Sequence, residues 1–219
     1  MCRWFMEQNQ PDKHYYELER SEIARLIVGQ PKTILDVGCA SGFFKRNISW
    51  DCDYHGVEPV HEAASDARGN GITVYEGLYQ DVERLIPDAR FDLVVCNDVI
   101  EHMADPWAFL VGLKKKLAPG GYVIGSLPNV RYLLNLRDLL LRRDWHYVEA
   151  GVLDRTHLRF FTLKSARRLF EECRYEIEEL SPSGPDRFNT LKKILAPFFL
   201  PLGTDVLYMQ MAFRLKATI

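Results

Sequence analysis

Two acids with a glycine turn between them are the first residues whose spacing suggests chemistry. They stand as Asp36-x-Gly38-x-Ala40-x-Gly42, followed by Glu58, 22 residues beyond Asp36. Thr33 to Val37 is an apolar, β-branched run, and Phe43 to Trp50 reads as a helix start, so the glycines sit between a strand and a helix. That order is the nucleotide-binding crevice of an open parallel sheet. Gly38 and Gly42 let the backbone turn sharply and approach a ligand with no Cβ in the way. The expected helix points its free N–H groups back at the loop that holds Ala40 and Ser41. Two further groups carry reactive side chains: Asn97-Asp98 with Glu101-His102, and Asp154 with His157.

The dinucleotide pattern G-x-G-x-x-G is absent, and Asp36 at the loop entrance would repel a pyrophosphate. A ligand carrying an ammonium and a sulfonium would be attracted. Glu58 ends the apolar run Tyr54 to Glu58, just before Pro59, at the spacing from which an acid holds a ribose diol. Acid, glycine loop and acid together describe an S-adenosylmethionine site better than a nicotinamide site. Phe91 to Cys96 reads as a central strand buried on both faces, and Asn97 and Asp98 at its carboxyl end face the same cleft.

The elements that must position these residues follow from period and punctuation. An amphipathic helix is expected over residues 12–28, a helix near 60–69, a strand from Ile72 to Tyr75, and a helix over 107–117 started by Asp105-Pro106. Ala118-Pro119-Gly120-Gly121 stops that helix ahead of a strand from Tyr122 to Ser126. Leu127 to Thr162, some 36 residues, is far longer than an ordinary connection and reads as a cap, with an amphipathic helix over 130–143. Thr162 caps the next helix, 163–173. A strand from Tyr175 to Leu180, a Pro/Gly-rich second insertion over 182–204, and a last strand from Val206 to Phe213 complete the chain.

The chain has 219 residues, 47% hydrophobic and 26% charged, which fits one globular domain with insertions. A net charge of −2 argues against general nucleic-acid affinity. Five cysteines without a C-x-x-C pair argue against a disulfide framework or a zinc site. Arg3, Glu7 and Asp12 interrupt any signal-peptide pattern, and the expectation is a cytoplasmic protein with no transmembrane segment. The apolar stretch from Leu195 to Leu202 is open to three readings: a contact in a homodimer, a pocket wall or a membrane-facing patch.

Asp36 to Gly42 resembles motif I of class I S-adenosylmethionine-dependent methyltransferases, D-x-G-x-G-x-G, with Ala40 in place of the central glycine. "IEH…DP" and "L-x-P-G-G" are also similar to that family, including ubiquinone-pathway O-methyltransferases. "YYELER", "SLPNVRY" and "DRTHLRFFT" resemble bacterial polysaccharide-biosynthesis methyltransferases across nearly the whole chain. The resemblance implies a Rossmann-like α/β fold with a seven-stranded, mostly parallel sheet. It implies that an aromatic of the first helix (Tyr16, or His14 or Tyr15) covers the methionine moiety. Gly77, Leu78 and Tyr79 would line the adenine, with His102 beside the cleft. Deprotonation of an alcohol acceptor needs a base, and His157 oriented by Asp154 is the choice. Asn129, Arg131, Tyr147 and Arg155 are expected to touch a small polar acceptor such as a sugar or sugar nucleotide, with no metal. Three other readings stand beside it. Asp98-x-x-Glu101-His102 with His157 resembles the metal-binding set of small-RNA 2′-O-methyltransferases, which would take Mg²⁺ or Mn²⁺. A quinone-pathway O-methyltransferase and a catalytically silent cofactor-binding module are the other two.

Overall fold

The computed structural model describes residues 20–183 and 203–217. Seven strands form one sheet: β1 (Thr33–Val37), β2 (Asp53–Glu58), β3 (Thr73–Glu76), β4 (Phe91–Asn97), β5 (Leu117–Pro128), β6 (Tyr175–Ser183) and β7 (Gln210–Ala217). Their order is β3-β2-β1-β4-β5-β7-β6, parallel from β3 to β5, with β7 antiparallel between β5 and β6. This is the mostly parallel Rossmann-like sheet expected from the sequence.

Central strands are apolar because helices cover both faces. Consecutive side chains alternate, so Ile34 and Leu35 feed cores on opposite sides, as do Leu93 and Val94. Helix His61–Gly69 places Ala67 in the core with Ile34 and Leu93. Helices Pro106–Lys116 and Leu163–Glu172 cover the other face with Phe109, Leu110, Leu113, Leu169 and Phe170. Both of these helices start as the sequence directs. Asp105 accepts a bond from the Ala108 amide at 3.0 Å, and Thr162 forms a capping box with Ser165. The order of strand addition reverses between the parallel neighbours β1 and β4, so their carboxyl ends flank the crevice where such sheets bind ligands.

Four local expectations are corrected. The element after the glycine loop is a five-residue 3-10 helix, Phe43–Asn47, too short to stack a full set of free amides at its start. The last strand is Gln210–Ala217, because Val206 and Leu207 are buried in a preceding 3-10 turn; apolarity alone does not separate a buried turn from a strand. The Pro-Gly-Gly stop lies inside β5: Phe91 pairs with Leu117 but Leu93 pairs with Tyr122, so the extra residues bulge out. Gly120 there has φ +83°, and a Cβ on Gly121 would lie 2.7 Å from the Phe91 carbonyl oxygen. The cap helix is broken into an α segment, Leu133–Arg137, and a π turn, Asp138–Arg142. Tyr16, His14, Tyr15, most of the first helix, most of the second insertion and the 195–202 segment lie outside the described residues.

Candidate functional site

The carboxyl ends of β1, β2 and β3 converge on Glu58. Its carboxylate accepts from the Ala40 amide at 3.0 Å and the Val60 amide at 2.9 Å, and its own carbonyl accepts from the Gly77 amide at 3.0 Å. Three loops far apart in sequence are thereby fixed on one acid. Ala40 is held at φ +48°, a left-handed conformation uncommon for a residue with a side chain. Gly42, at φ +82°, packs so closely on Ile72 that a Cβ would lie 2.4 Å from its Cδ1. The tight turn is real.

Asp36 is buried and accepts from the Tyr54 hydroxyl at 2.8 Å. Burial pushes both acids up: Asp36 to about 7, with Glu58 adding repulsion, and Glu58 to about 7 despite its two amide donors. Burial disfavours the charged form, and a cationic ligand would favour it. Each Glu58 oxygen has one backbone donor and retains a second lone pair, as holding a diol requires. Asn97, at the end of β4, has a buried Oδ1 with no hydrogen-bond partner among the described residues, a place for a ligand donor. These residues fit the group the sequence implied.

Several assigned residues point elsewhere. Ser41 turns its hydroxyl to Asp66, 3.4 Å away, and its carbonyl accepts from the Asn70 amide nitrogen at 2.8 Å. The Tyr79 ring packs edge-on to Phe109 in the core, so only the Gly77–Leu78 stretch is left to border the crevice. Pro59 is exposed beside Glu58. Asp98 does not offer a free carboxylate to the crevice. It accepts from Arg20, from Gln210 at 3.1 Å and from the Ser126 hydroxyl at 2.9 Å.

A second cluster forms where the cap meets the end of β4. Glu101 and His102 lie on a short turn, Ile100–His102, after the positive-φ Asp98 (φ +52°). The Glu101 carbonyl accepts from the Leu158 and Arg159 amides at 2.9 and 3.0 Å, which docks the cap segment and brings His157 over Glu101. The two imidazole rings meet edge to face, 4.9 Å between centroids. His157 Nδ1 lies 3.0 Å from the Val152 carbonyl and His102 Nδ1 lies 3.2 Å from the Thr156 carbonyl. A carbonyl only accepts, so each Nδ1 carries the proton and each Nε2 presents a lone pair. His157 Nε2 stands 3.9 Å from Glu101 Oε1. Glu101 is fully buried, and neither carboxylate oxygen has a hydrogen-bond partner among the described residues. Burial raises the Glu101 carboxyl well above its ordinary range and lowers both histidines.

Asp154 does not orient the His157 ring. Its carboxylate accepts from the Thr156 amide at 2.8 Å and hydroxyl at 2.6 Å, closing the turn that carries His157. The expected acceptor contacts are mostly structural. Asn129 is buried and clips the chain, donating to the Asp205 and Tyr208 carbonyls at 2.9 and 3.1 Å. Arg131 pairs with Asp205 at 3.2 Å, and Arg155 with Glu149 on the surface. Tyr147 is half-exposed against Phe160. Tyr54 and Thr156 escaped the sequence reading. Tyr54 had a signal, since alternation along its run puts it on the same strand face as Glu58; Thr156 had none beyond its neighbours.

The methyltransferase domain family matches residues 12–180. A ubiquinone biosynthesis O-methyltransferase from Rickettsia bellii is 29% identical over 154 residues, covering 67% of this chain and 62% of that protein. Another so named, from Thiobacillus denitrificans, is 27% identical over 98% of this chain and 93% of its own length. Against several such relatives the match spans under half of their length, as with the one from Pectobacterium atrosepticum at 31% identity and 43% coverage. A SAM-dependent methyltransferase structure from Archaeoglobus fulgidus shares the fold with TM-score 0.65 at 15% identity, covering 98% of both chains.

Proposed function

Because the chain belongs to the methyltransferase domain family, we propose that it is an S-adenosylmethionine-dependent O-methyltransferase whose acceptor is a hydroxyl on an apolar ring compound. The observation that carries this reading is the placement of the Glu101–His102–His157 cluster at the end of β4, next to the crevice built on Asp36 and Glu58. One part has the acids for a cationic donor; the other has lone pairs for an acceptor hydroxyl. Glu58 takes the ribose diol, Asn97 and Asp36 face the amino acid end, and the Gly77–Leu78 stretch borders the adenine.

Bound S-adenosylmethionine supplies an electrophilic methyl carbon: the acceptor oxygen forms the O–CH3 bond as the C–S bond breaks, leaving S-adenosylhomocysteine. Alignment for such an in-line step is worth roughly 7–11 kcal/mol, and the chain supplies it by pinning the cap to the Glu101 carbonyl. His157 is the side chain the acceptor hydroxyl meets, and its proton leaves at that cluster. The relatives are named for a quinone pathway, and Leu139, Leu140 and Leu141 on the cap are 42, 70 and 78% exposed. Both favour an apolar ring acceptor over the sugar expected from the sequence.

Comparing two variants tests the division of labour. Glu58→Ala is expected to weaken donor binding, read by titration calorimetry. His157→Ala is expected to leave donor affinity within about twofold while kcat falls about 100-fold or more, in the range of acid–base contributions. Undiminished turnover in His157→Ala removes the cluster from the reaction. Labelled methyl appearing in sugar nucleotides rather than in phenolic lipid extracts removes the acceptor class.

A further inference from the structure

We propose that Glu101, His102 and His157 form a binding site for a divalent transition-metal cation. The inference rests on the functional reading above for its purpose, but its own evidence is geometric. One donor atom from each residue lies within 4.8 Å of the other two. A cation about 2.1 Å from each of three ligands sets them about 3.4 Å apart, so Glu101 Oε1 and His157 Nε2, at 3.9 Å, need close by only about half an ångström.

Three features mark the cluster as built for a cation rather than packed by chance. Each imidazole spends Nδ1 on a backbone carbonyl, which fixes the ring and leaves Nε2 free to bind, the usual outer support of a metal-bound histidine, and His157 Nε2 faces Glu101. Glu101 is fully buried, with both oxygens unpartnered among the described residues, an arrangement that costs free energy unless something positive meets it. Asp98 next to the cluster is already satisfied by Arg20, Gln210 and Ser126, so it neutralises nothing there and adds no fourth ligand. Two imidazoles and one carboxylate suit Mn²⁺, Fe²⁺, Co²⁺ or Zn²⁺ better than Mg²⁺ or Ca²⁺, which prefer all-oxygen sites. With three protein ligands, coordination positions remain open for water or for the two oxygens of a vicinal diol. With a cation bound, His157 would serve as a ligand in place of the base role given above, and the cation would supply the acidification of an acceptor hydroxyl, whose proton would pass to water.

Co²⁺ is the probe, added to chelator-stripped protein without donor or acceptor. The expected result is one equivalent bound with visible d–d absorption, displaced by Zn²⁺ and not by millimolar Mg²⁺. Glu101→Gln and His157→Asn should each weaken binding at least tenfold, while His61→Ala, an exposed histidine elsewhere, should not. Thermal melts report whether each variant folds. Absence of the Co²⁺ signal in folded wild-type protein overturns the site. So does full affinity in folded Glu101→Gln and His157→Asn. If a variant fails to fold, protection of wild-type His102 and His157 from diethyl pyrocarbonate by Co²⁺ decides: protection supports the site, and equal labelling with and without the ion overturns it. Because the readout needs no methyl transfer, binding without activity would sink the functional reading and leave the site standing, and activity without binding would do the reverse.

Discussion

At the scale of single residues, the crevice proposed for the donor holds two buried carboxyls near neutrality. Asp36 and Glu58 each stand at about 7, raised first by burial. A cationic ligand favours the ionised forms, so binding must drive off any proton they carry. S-adenosylmethionine affinity is therefore expected to rise as pH climbs from 5 to about 7, by up to about tenfold per pH unit for each proton released, and to level off above that. Calorimetry at fixed ionic strength across that range measures it. A flat profile between pH 5 and 7 would mean that neither carboxyl changes charge when the donor binds. Asn97 belongs to the same argument: its unpartnered Oδ1 is a cost that a ligand donor removes.

At the scale of elements, the cap is held by polar contacts whose partners lie far along the chain. Asn129 joins the end of β5 to the turn before β7 through two side-chain donations, and its Oδ1 accepts from the Arg131 amide at 3.1 Å. Asn129→Ala removes three hydrogen bonds made by one buried side chain, and is expected to cost about 1–3 kcal/mol of stability. Denaturant unfolding measures that loss, and donor affinity should be retained in the folded fraction. This clip also shows what the sequence could disclose. The glycine loop, Glu58 and the helix caps were legible because their signals are local: a turn needs its glycines, and a helix start needs its cap. Asn129 and Asp98 looked like ligand-facing residues because they end strands at the right edge. Their true partners are 76 to 112 residues away, Asp205 and Tyr208 for the first and Gln210 for the second, and no spacing rule reports those pairings. The Glu101–His157 approach was visible only as a motif resemblance, since the cap docking that creates it is set by backbone bonds to the Glu101 carbonyl.

At the scale of the whole molecule, the fold buries titratable groups beside the sheet's carboxyl edge, and stability should record that. Glu58 has a folded pKa of about 7 against an ordinary value of 4.5, so between those pH values the folded state holds a proton that the unfolded chain has released. Its contribution to stability is then fully present below about pH 4.5, declines as pH rises, and is lost above about pH 7. His102 and His157 act in the opposite sense, because burial lowers their folded pKa values and stability falls with acid below about pH 6.5. A wild-type melting curve mixes these effects, and Asp36 and Glu101, also raised, add to the first. Glu58→Gln isolates one arm, since its amide carries no titrating charge. The difference in Tm between Glu58→Gln and wild type, without ligand, is expected to grow in favour of the variant from pH 5 to about 7 and then stay constant. Saturating donor should reverse it, because the ionised carboxylate is then the better partner. A difference that is constant across the whole range would show that the Glu58 charge is already compensated in the free protein, and that the crevice does not wait for its ligand.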